Sequence, residues 1–115
     1  MYRLHYAGDS IVTGTEIARA LLDYAQALSQ VGTSSTVDVP TLNEDGSPGR
    51  SEILIGPASQ LIADVETSEF DEVVDEALVA YMRGEAERLR NFGSPAPRAE
   101  ATPSQASPGF EDYEL

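Results

Sequence analysis

Few side chains in this 115-residue sequence could take part in catalysis, because it contains one histidine, no cysteine and no lysine. His5 could act as a general base, and Ser10 and Ser59 are candidate nucleophiles or polar binding groups. Without cysteine there are no disulfides and no thiolate metal ligands. Without lysine there is no phosphate-binding loop of the Gly-x-x-x-x-Gly-Lys type. We expect no cofactor and no metal, and a small-molecule site or weak hydrolase around Ser10, Ser59 and His5 is an alternative to a non-enzymatic function.

The segment around Ser10 is similar to a known catalytic motif. Gly8-Asp9-Ser10-Ile11, followed by Thr13-Gly14, resembles the nucleophile block of the GDSL-type esterases, in which a serine after an N-terminal strand attacks an ester. The resemblance implies that Ser10 is a nucleophile, which needs a base to remove its proton. In that family the histidine and its aspartate lie near the C-terminus, whereas His5 precedes Ser10 here. A strand-to-helix turn is the alternative interpretation.

Residues 41–52 resemble the calcium-binding loop of EF-hand proteins. Asn43, Asp45, Gly46 and Glu52 stand at the third, fifth, sixth and twelfth positions of that loop. Thr41 stands at the first position, where the motif has a carboxylate, and the flanking segments have strand patterns. Since Asn, Asp and Gly tolerate left-handed backbone, the same residues also predict a hairpin tip.

The charge distribution favours binding over catalysis. The sequence has 20 acidic and 7 basic residues, all arginines, for a net charge of −13. Such a protein repels nucleic acid and anionic lipid, so we expect no direct binding to either and a protein partner with a basic surface. Seven acids fall close together with no base among them: Asp64, Glu66, Glu69, Asp71, Glu72, Asp75 and Glu76.

We expect the second helix to begin near Ser68 and to present some of these acids to a partner. Glu69, Glu72 and Glu76 follow one helical face, with Asp75 beside them. A solvated helix face is the plain interpretation of this pattern. The sharper interpretations are recognition of an arginine-rich protein and mimicry of DNA phosphates.

The composition changes at Gly93, which predicts a domain over residues 1–92 and a tail over residues 93–115. The tail is rich in Pro, Ala and Ser and is expected to be flexible and disordered. It ends with Phe110, Tyr113 and Leu115 among three acids. Because tethered aromatic and acidic peptides dock on basic grooves, we expect these three residues to contact a partner.

Hydrophobic periodicity predicts the elements that position these residues. Five apolar residues at helical spacing, from Ile17 to Val31, predict a first helix that buries one side, with Asp23 on the opposite side. Thr13 and Glu16 form a capping-box pattern, and Gly32 is a stop signal. Alternating or apolar segments predict strands at residues 2–6, 10–13, 36–39, 52–55 and 60–65, the third and fourth forming a hairpin.

Together these elements predict an α+β fold, a two-layer small domain of four or five short, mostly antiparallel strands with two amphipathic helices on one face. No apolar segment approaches the roughly 20 residues that span a bilayer, and the N-terminus lacks the apolar core of a signal peptide. We therefore expect a cytoplasmic accessory or adaptor protein, and its arginine and alanine usage favours a bacterial source. A homodimer with paired sheet edges is a further prediction.

Overall fold

Five strands form two antiparallel sheets, and two helices accompany them, in the computed structural model, which describes residues 1–92. This confirms the α+β class, while the predicted tail over residues 93–115 lies outside the described residues. In chain order the elements are β1 (Tyr2–Tyr6), β2 (Asp9–Thr13), α1 (Thr15–Val31), β3 (Ser35–Leu42), β4 (Pro48–Ile55), β5 (Ile62–Val65) and α2 (Glu76–Phe92).

The first sheet has the strand order β2-β1-β5, and its central strand follows the predicted alternation. Leu4 lies opposite Ile11 and Ala63 and is 1% exposed. Because side chains alternate along a strand, Arg3 and His5 lie on the other face of the sheet. Ala7 and Gly8 connect β1 to β2 with positive φ angles of 53° and 83°, the backbone that a two-residue hairpin turn requires.

The second sheet is the β3–β4 hairpin, which confirms the predicted hairpin and the hairpin-tip interpretation of residues 41–52. Its tip is closed by the Gly46 N–H, which donates to the Asn43 carbonyl at 2.9 Å, and by the Asp45 carboxylate, which accepts from the Ser47 N–H at 2.9 Å. The segment is therefore two strands and a turn, not a loop between helices. Among residues 1–92, no group of three or more His, Cys, Asp or Glu side chains is placed to hold a metal ion.

The hydrophobic core is one cluster shared by both sheets and both helices. Its largest fully buried apolar side chains are Leu4, Ile17, Leu21, Val39, Ile55 and Met82. Gly32 ends α1 in the left-handed conformation with φ 73°, as predicted, and the Thr33 N–H donates back to the Leu28 carbonyl. The core therefore fixes α1 against the strands along most of its length.

The start of α1 differs from the prediction. Gly14 is the N-cap and makes no side-chain capping bond. The Thr13 hydroxyl instead donates to the Pro40 carbonyl at 2.7 Å, joining β2 to β3. The predicted capping box of Thr13 and Glu16 is therefore wrong, because a longer-range contact uses the threonine.

The start of α2 also differs, since the helix begins at Glu76 instead of near Ser68. The Asp75 carboxylate accepts from the Leu78 N–H at 3.0 Å, which makes Asp75 the N-cap. Glu69 and Glu72 precede the helix, so the predicted helical acidic face is wrong. We call residues 66–75, which connect β5 to α2 without helix or strand structure, the acidic strap.

The two helices run in the same direction, with their N-terminal ends adjacent. Ile17 and Val79, in their first turns, line one cleft, and nearer the C-terminal ends Arg90 Nη2 donates to Gln26 Oε1 at 3.0 Å. This arrangement is possible because three strands and the acidic strap separate the helices in sequence.

Asp23 links the helices through two arginines of α2, although the sequence pattern placed it on the solvated side of α1. Its carboxylate pairs with Arg83 at 3.2 Å and with Arg90 at 2.7 Å. Partial burial acts to raise the pKa of Asp23, but the hydrogen bonds from Arg90 and Arg83 outweigh it and hold the pKa below its usual value.

Two glycines allow the acidic strap to lie directly on the rest of the fold. A Cβ on Gly14 would overlap the backbone carbonyl of Val73. A Cβ on Gly46 would meet the ring of Phe70. The strap thus packs against the N-terminus of α1 at one point and against the β3–β4 hairpin tip at the other.

We expect Gly14→Ala to destabilise the protein by about 2 kcal/mol, as overpacking in a close contact does. The backbone of Gly14, with φ −70° and ψ 155°, suits alanine, so most of the loss would come from the contact with Val73 and a smaller part from the poor N-cap preference of alanine. Gly84→Ala is the matched control, because Gly84 lies inside α2 with open space around it and should gain about 1 kcal/mol. Urea unfolding measures both, and a Gly14→Ala variant as stable as the wild type would contradict the packing of the strap.

Candidate functional site

Four of the seven clustered acids have partners within the fold. Asp64 pairs with His5, and Glu66 pairs with Arg3. Glu72 contacts the N-terminus of α1, and Asp75 caps α2. The acidic run is therefore, in large part, a set of structural contacts between the strap region and the other elements.

Glu72 performs the capping that the sequence assigned to Thr13 and Glu16. Its Oε2 accepts from the Thr15 N–H, the first helical residue of α1, and its Oε1 lies 3.1 Å from the Met1 amine. The Thr15 N–H bond is the largest influence on Glu72 and holds the pKa of its carboxyl below the usual value. A carboxylate at this place satisfies a free backbone N–H and interacts favourably with the helix dipole.

Arg3 organises the outer face of the β2-β1-β5 sheet. Its guanidinium donates to Glu66 through Nε at 3.1 Å and Nη2 at 2.9 Å, and through Nη1 to the Ser10 hydroxyl at 2.9 Å. The hydrogen bond from Arg3 is the main reason that the pKa of Glu66 lies below its usual value. This fork ties β1 to β2 and to the residue that follows β5.

The remaining acids of the run are Glu69, Asp71 and Glu76. All three are exposed, and none of their carboxylates makes a hydrogen bond or ion pair with another described residue. Glu69 lines an open cleft beside the β3–β4 hairpin, together with Arg3 and Arg50. Glu76 stands at the first position of α2 and does not line this cleft.

An apolar cleft with an acidic rim lies where the strap meets the first turns of both helices. Its volume is about 290 Å³. The apolar lining residues are Ile17, Val73, Val74, Val79 and Ala80. The rim residues are Glu16, Glu72, Asp75 and Glu76. We call this feature the acidic-rimmed cleft.

The rim retains negative charge after its neighbours are counted. The two helix N-termini supply about half a positive charge each, and the Met1 amine pairs with Glu72. Four carboxylates therefore leave an excess of about two negative charges before Arg19, which lies 3.8 Å from Glu16, is counted, and about one to two with it. Glu16 and Glu76 carry this excess, since Glu16 has only a 3.8 Å contact with Arg19 and Glu76 has no described partner.

The structure brings together three of the four acids predicted to bind a partner. Glu72, Asp75 and Glu76 meet at the acidic-rimmed cleft, whereas Glu69 lies elsewhere. The predicted contacts Phe110, Tyr113 and Leu115 lie outside the described residues. Sequence reasoning missed Glu16 and the exposed Val74, although an apolar Val73-Val74 pair inside an acidic run was a visible signal.

The candidate catalytic residues lie on the first sheet and beside it. His5 faces Ser10 across β1 and β2, and its Nε2 lies 3.1 Å from Asp64 Oδ2. The Ser59 hydroxyl accepts from the Gly56 N–H at 2.9 Å, which stabilises the turn after β4. His5 and Ser59 line one open cleft of about 770 Å³, whereas Ser10 lines another.

Comparisons of this chain with protein-family models, with curated proteins and with solved structures found no match. Over residues 1–92, neither helix has the length and apolar character that crossing a membrane requires. The functional interpretation therefore rests on the geometry of the site.

We expect Glu72→Gln to destabilise the protein by about 1 kcal/mol at pH 7, because the charge at the helix N-terminus is lost. The folded-state pKa of Glu72 is lowered, so its contribution is present above the unfolded carboxyl pKa of about 4.3 and is lost as the pH falls through the folded value. The difference between the two proteins should therefore shrink below about pH 4.

Glu69→Gln is the control for this measurement, because it removes the same charge from an exposed strap residue without a described partner. It should leave stability unchanged or slightly raised, since the protein carries a net charge of −13. Urea unfolding between pH 7 and pH 3 compares the two variants. Equal effects of both substitutions at pH 7 would show that Glu72 does not cap α1.

Proposed function

We propose that this chain is a small, non-enzymatic accessory or adaptor protein that binds a protein partner with a basic surface. The acidic-rimmed cleft is the observation that carries the proposal. In it, exposed apolar surface lies beside two exposed carboxylates: Glu76, which has no described ion pair, and Glu16, whose ion pair with Arg19 is long at 3.8 Å. We further propose that the amphipathic helices form one layer over the sheets and that the protein works in the cytoplasm.

The size of the cleft favours a protein side chain over a small ligand. Its volume of about 290 Å³ lies at the lower limit of the roughly 300–1,000 Å³ typical of small-molecule pockets. Protein interfaces commonly place one apolar anchor in a pocket and surround it with charged contacts. Val74, which is 66% exposed and lines the cleft together with the exposed carboxylates of Glu16 and Glu76, provides such a surface.

The internal contacts of the acids support an adaptor more than a mimic of DNA. A mimic must present its carboxylates to the partner. Glu72 and Asp75 instead accept backbone N–H groups of the two helices. The C-terminal residues Phe110, Tyr113 and Leu115 stay in this proposal as a second contact with the partner.

Self-association through sheet edges also stays a prediction. The edge strand β5 pairs only with β1 among the described strands, and its Ile62 and Val65 are 60% and 77% exposed. Asp64 lies between them, so pairing with a second copy would bring like charges close together. This charge favours the heterologous partner over a dimer at β5.

The proposal predicts that a cleft variant of the full chain loses its partner. The variant combines Val74→Ser, Glu16→Gln and Glu76→Gln, all at exposed positions. The matched control combines Leu54→Ser, Glu44→Gln and Glu52→Gln, the same kinds of change on other exposed residues. Affinity capture from source cells at low and moderate salt should recover the partner with the wild type and the control.

Capture of every partner by the cleft variant would overturn the assignment of the cleft. A full-length chain with Phe110→Ala and Tyr113→Ala completes the design. Loss of the partner in that variant alone would assign binding to the C-terminal residues instead.

A small-molecule site or weak hydrolase is the second candidate, favoured by the surroundings of His5. Ser10 lies opposite His5, and Asp64 pairs with His5 at 3.1 Å, so the residue types of a Ser-His-Asp set share one sheet face. The Ser10 hydroxyl, however, accepts from Arg3 and makes no hydrogen bond to His5. Catalysis would require the hydroxyl to leave Arg3 and donate to His5.

This second candidate predicts hydrolysis of an activated ester, such as p-nitrophenyl acetate, above the rate in buffer. Ser10→Ala and His5→Gln should each abolish the excess rate. Ser47→Ala is the control, because the Ser47 hydroxyl donates to Asp45 at the β3–β4 hairpin tip and Ser47 lines neither the cleft of His5 nor that of Ser10. Wild-type and Ser10→Ala proteins with the same rate would contradict the hydrolase.

A further inference from the structure

We infer that the acidic-rimmed cleft receives a basic amphipathic segment of the partner, with one aliphatic side chain in the cleft and an arginine or lysine on each side of it. This inference rests on the proposed function and specifies the chemistry of the occupant. The two cations would pair with Glu16 on α1 and Glu76 on α2.

The apolar part of the inference follows from the lining of the cleft. Ile17 is fully buried and belongs to the core, whereas Val74 is 66% exposed at the surface. The cleft thus leads from solvent to the edge of the core. An aliphatic side chain would remove Val74 from water, and a volume of about 290 Å³ has room for one such side chain with its neighbours.

The two cations of the occupant are expected to pair with the carboxylates that make no hydrogen bond to a helix N-terminus. Glu72 and Asp75 accept N–H groups of Thr15 and Leu78, so a cation at either one would compete with a helix N-terminus. Glu16 is 68% exposed, and Glu76 is exposed without a described partner. These two acids lie in the first turns of different helices, so the cleft has an exposed carboxylate on each helix.

The geometry of the cleft is fixed before a partner arrives. The Val73 carbonyl lies against Gly14, and Glu72 joins the strap to the first residue of α1. Because the cleft is already formed, its residues lose little conformational entropy when a partner binds. This favours a short segment as its occupant. An occupant without cations would bring apolar surface next to two carboxylates and partly desolvate them at a cost.

The test uses the full chain labelled with ¹⁵N and a capped, alanine-rich helical peptide with one leucine and an arginine one turn before and one turn after it. We expect amide shifts centred on Ile17, Val74, Val79 and Ala80 at low salt. Replacing both arginines by glutamine, or the leucine by alanine, should raise the dissociation constant about tenfold. Added salt should weaken binding, because the pairs are exposed.

Two protein variants complete the test. Glu16→Gln with Glu76→Gln should weaken peptide binding about tenfold, whereas the control, Glu44→Gln with Glu52→Gln, should not. Shifts spread over all exposed acids would show non-specific attraction and would overturn the inference. Equal binding of the arginine and glutamine peptides would overturn it in favour of an uncharged occupant.

The peptide titration tests the chemistry of the occupant, and the partner capture tests the proposed function, so the two can fail independently. A cleft variant that loses its partner in cells, combined with a wild-type chain that does not bind the peptide, would overturn the basic occupant and keep the cleft as the binding site. Peptide binding at the cleft with no loss of a cellular partner would instead overturn the proposed function.

Discussion

The contact between the acidic strap and the N-terminus of α1 is the constraint on which the rest of the structure depends. Two helices that run in the same direction place their positive dipole ends side by side, which is unfavourable unless negative groups lie close to them. Glu72 and Asp75 supply these groups, one at each helix. The strap that carries both can lie this close only because residue 14 has no side chain.

The same constraint divides the acids of the run into two groups. Those that tie strands or helices together contact an arginine, a histidine or a helix end. The other acids of the run, Glu69, Asp71 and Glu76, lack such contacts. Together with Glu16 they give the surface its excess negative charge beside exposed apolar side chains. Stability and recognition therefore draw on the same acid-rich segment, and a net charge of −13 is no measure of how many carboxylates a partner could reach.

The parts of the fold that the sequence predicted depend on neighbouring residues, and the parts it did not predict depend on distant ones. The alternation of side chains along residues 2–6 predicted β1, and the spacing of apolar residues together with Gly32 predicted α1. Both patterns involve residues that are close in sequence. The acids after Ser68 also have helical spacing, but Glu72 bonds Thr15 and Asp75 stops the helix from extending backwards. The cleft was not predictable for the same reason, since Glu16 and Val74 meet only through the packing of the strap.

The distance in sequence between Glu72 and Thr15 has a consequence during synthesis. The two residues are 57 positions apart, so α1 leaves the ribosome long before the carboxylate that completes its first turn. At roughly 5–20 residues per second, that delay is about 3–11 seconds. For all of this time the apolar side of α1 lacks its helix partner, because α2 is translated after Glu72, and it lacks β5 for most of it. The nascent domain is therefore most exposed to aggregation and to chaperones before α2 emerges.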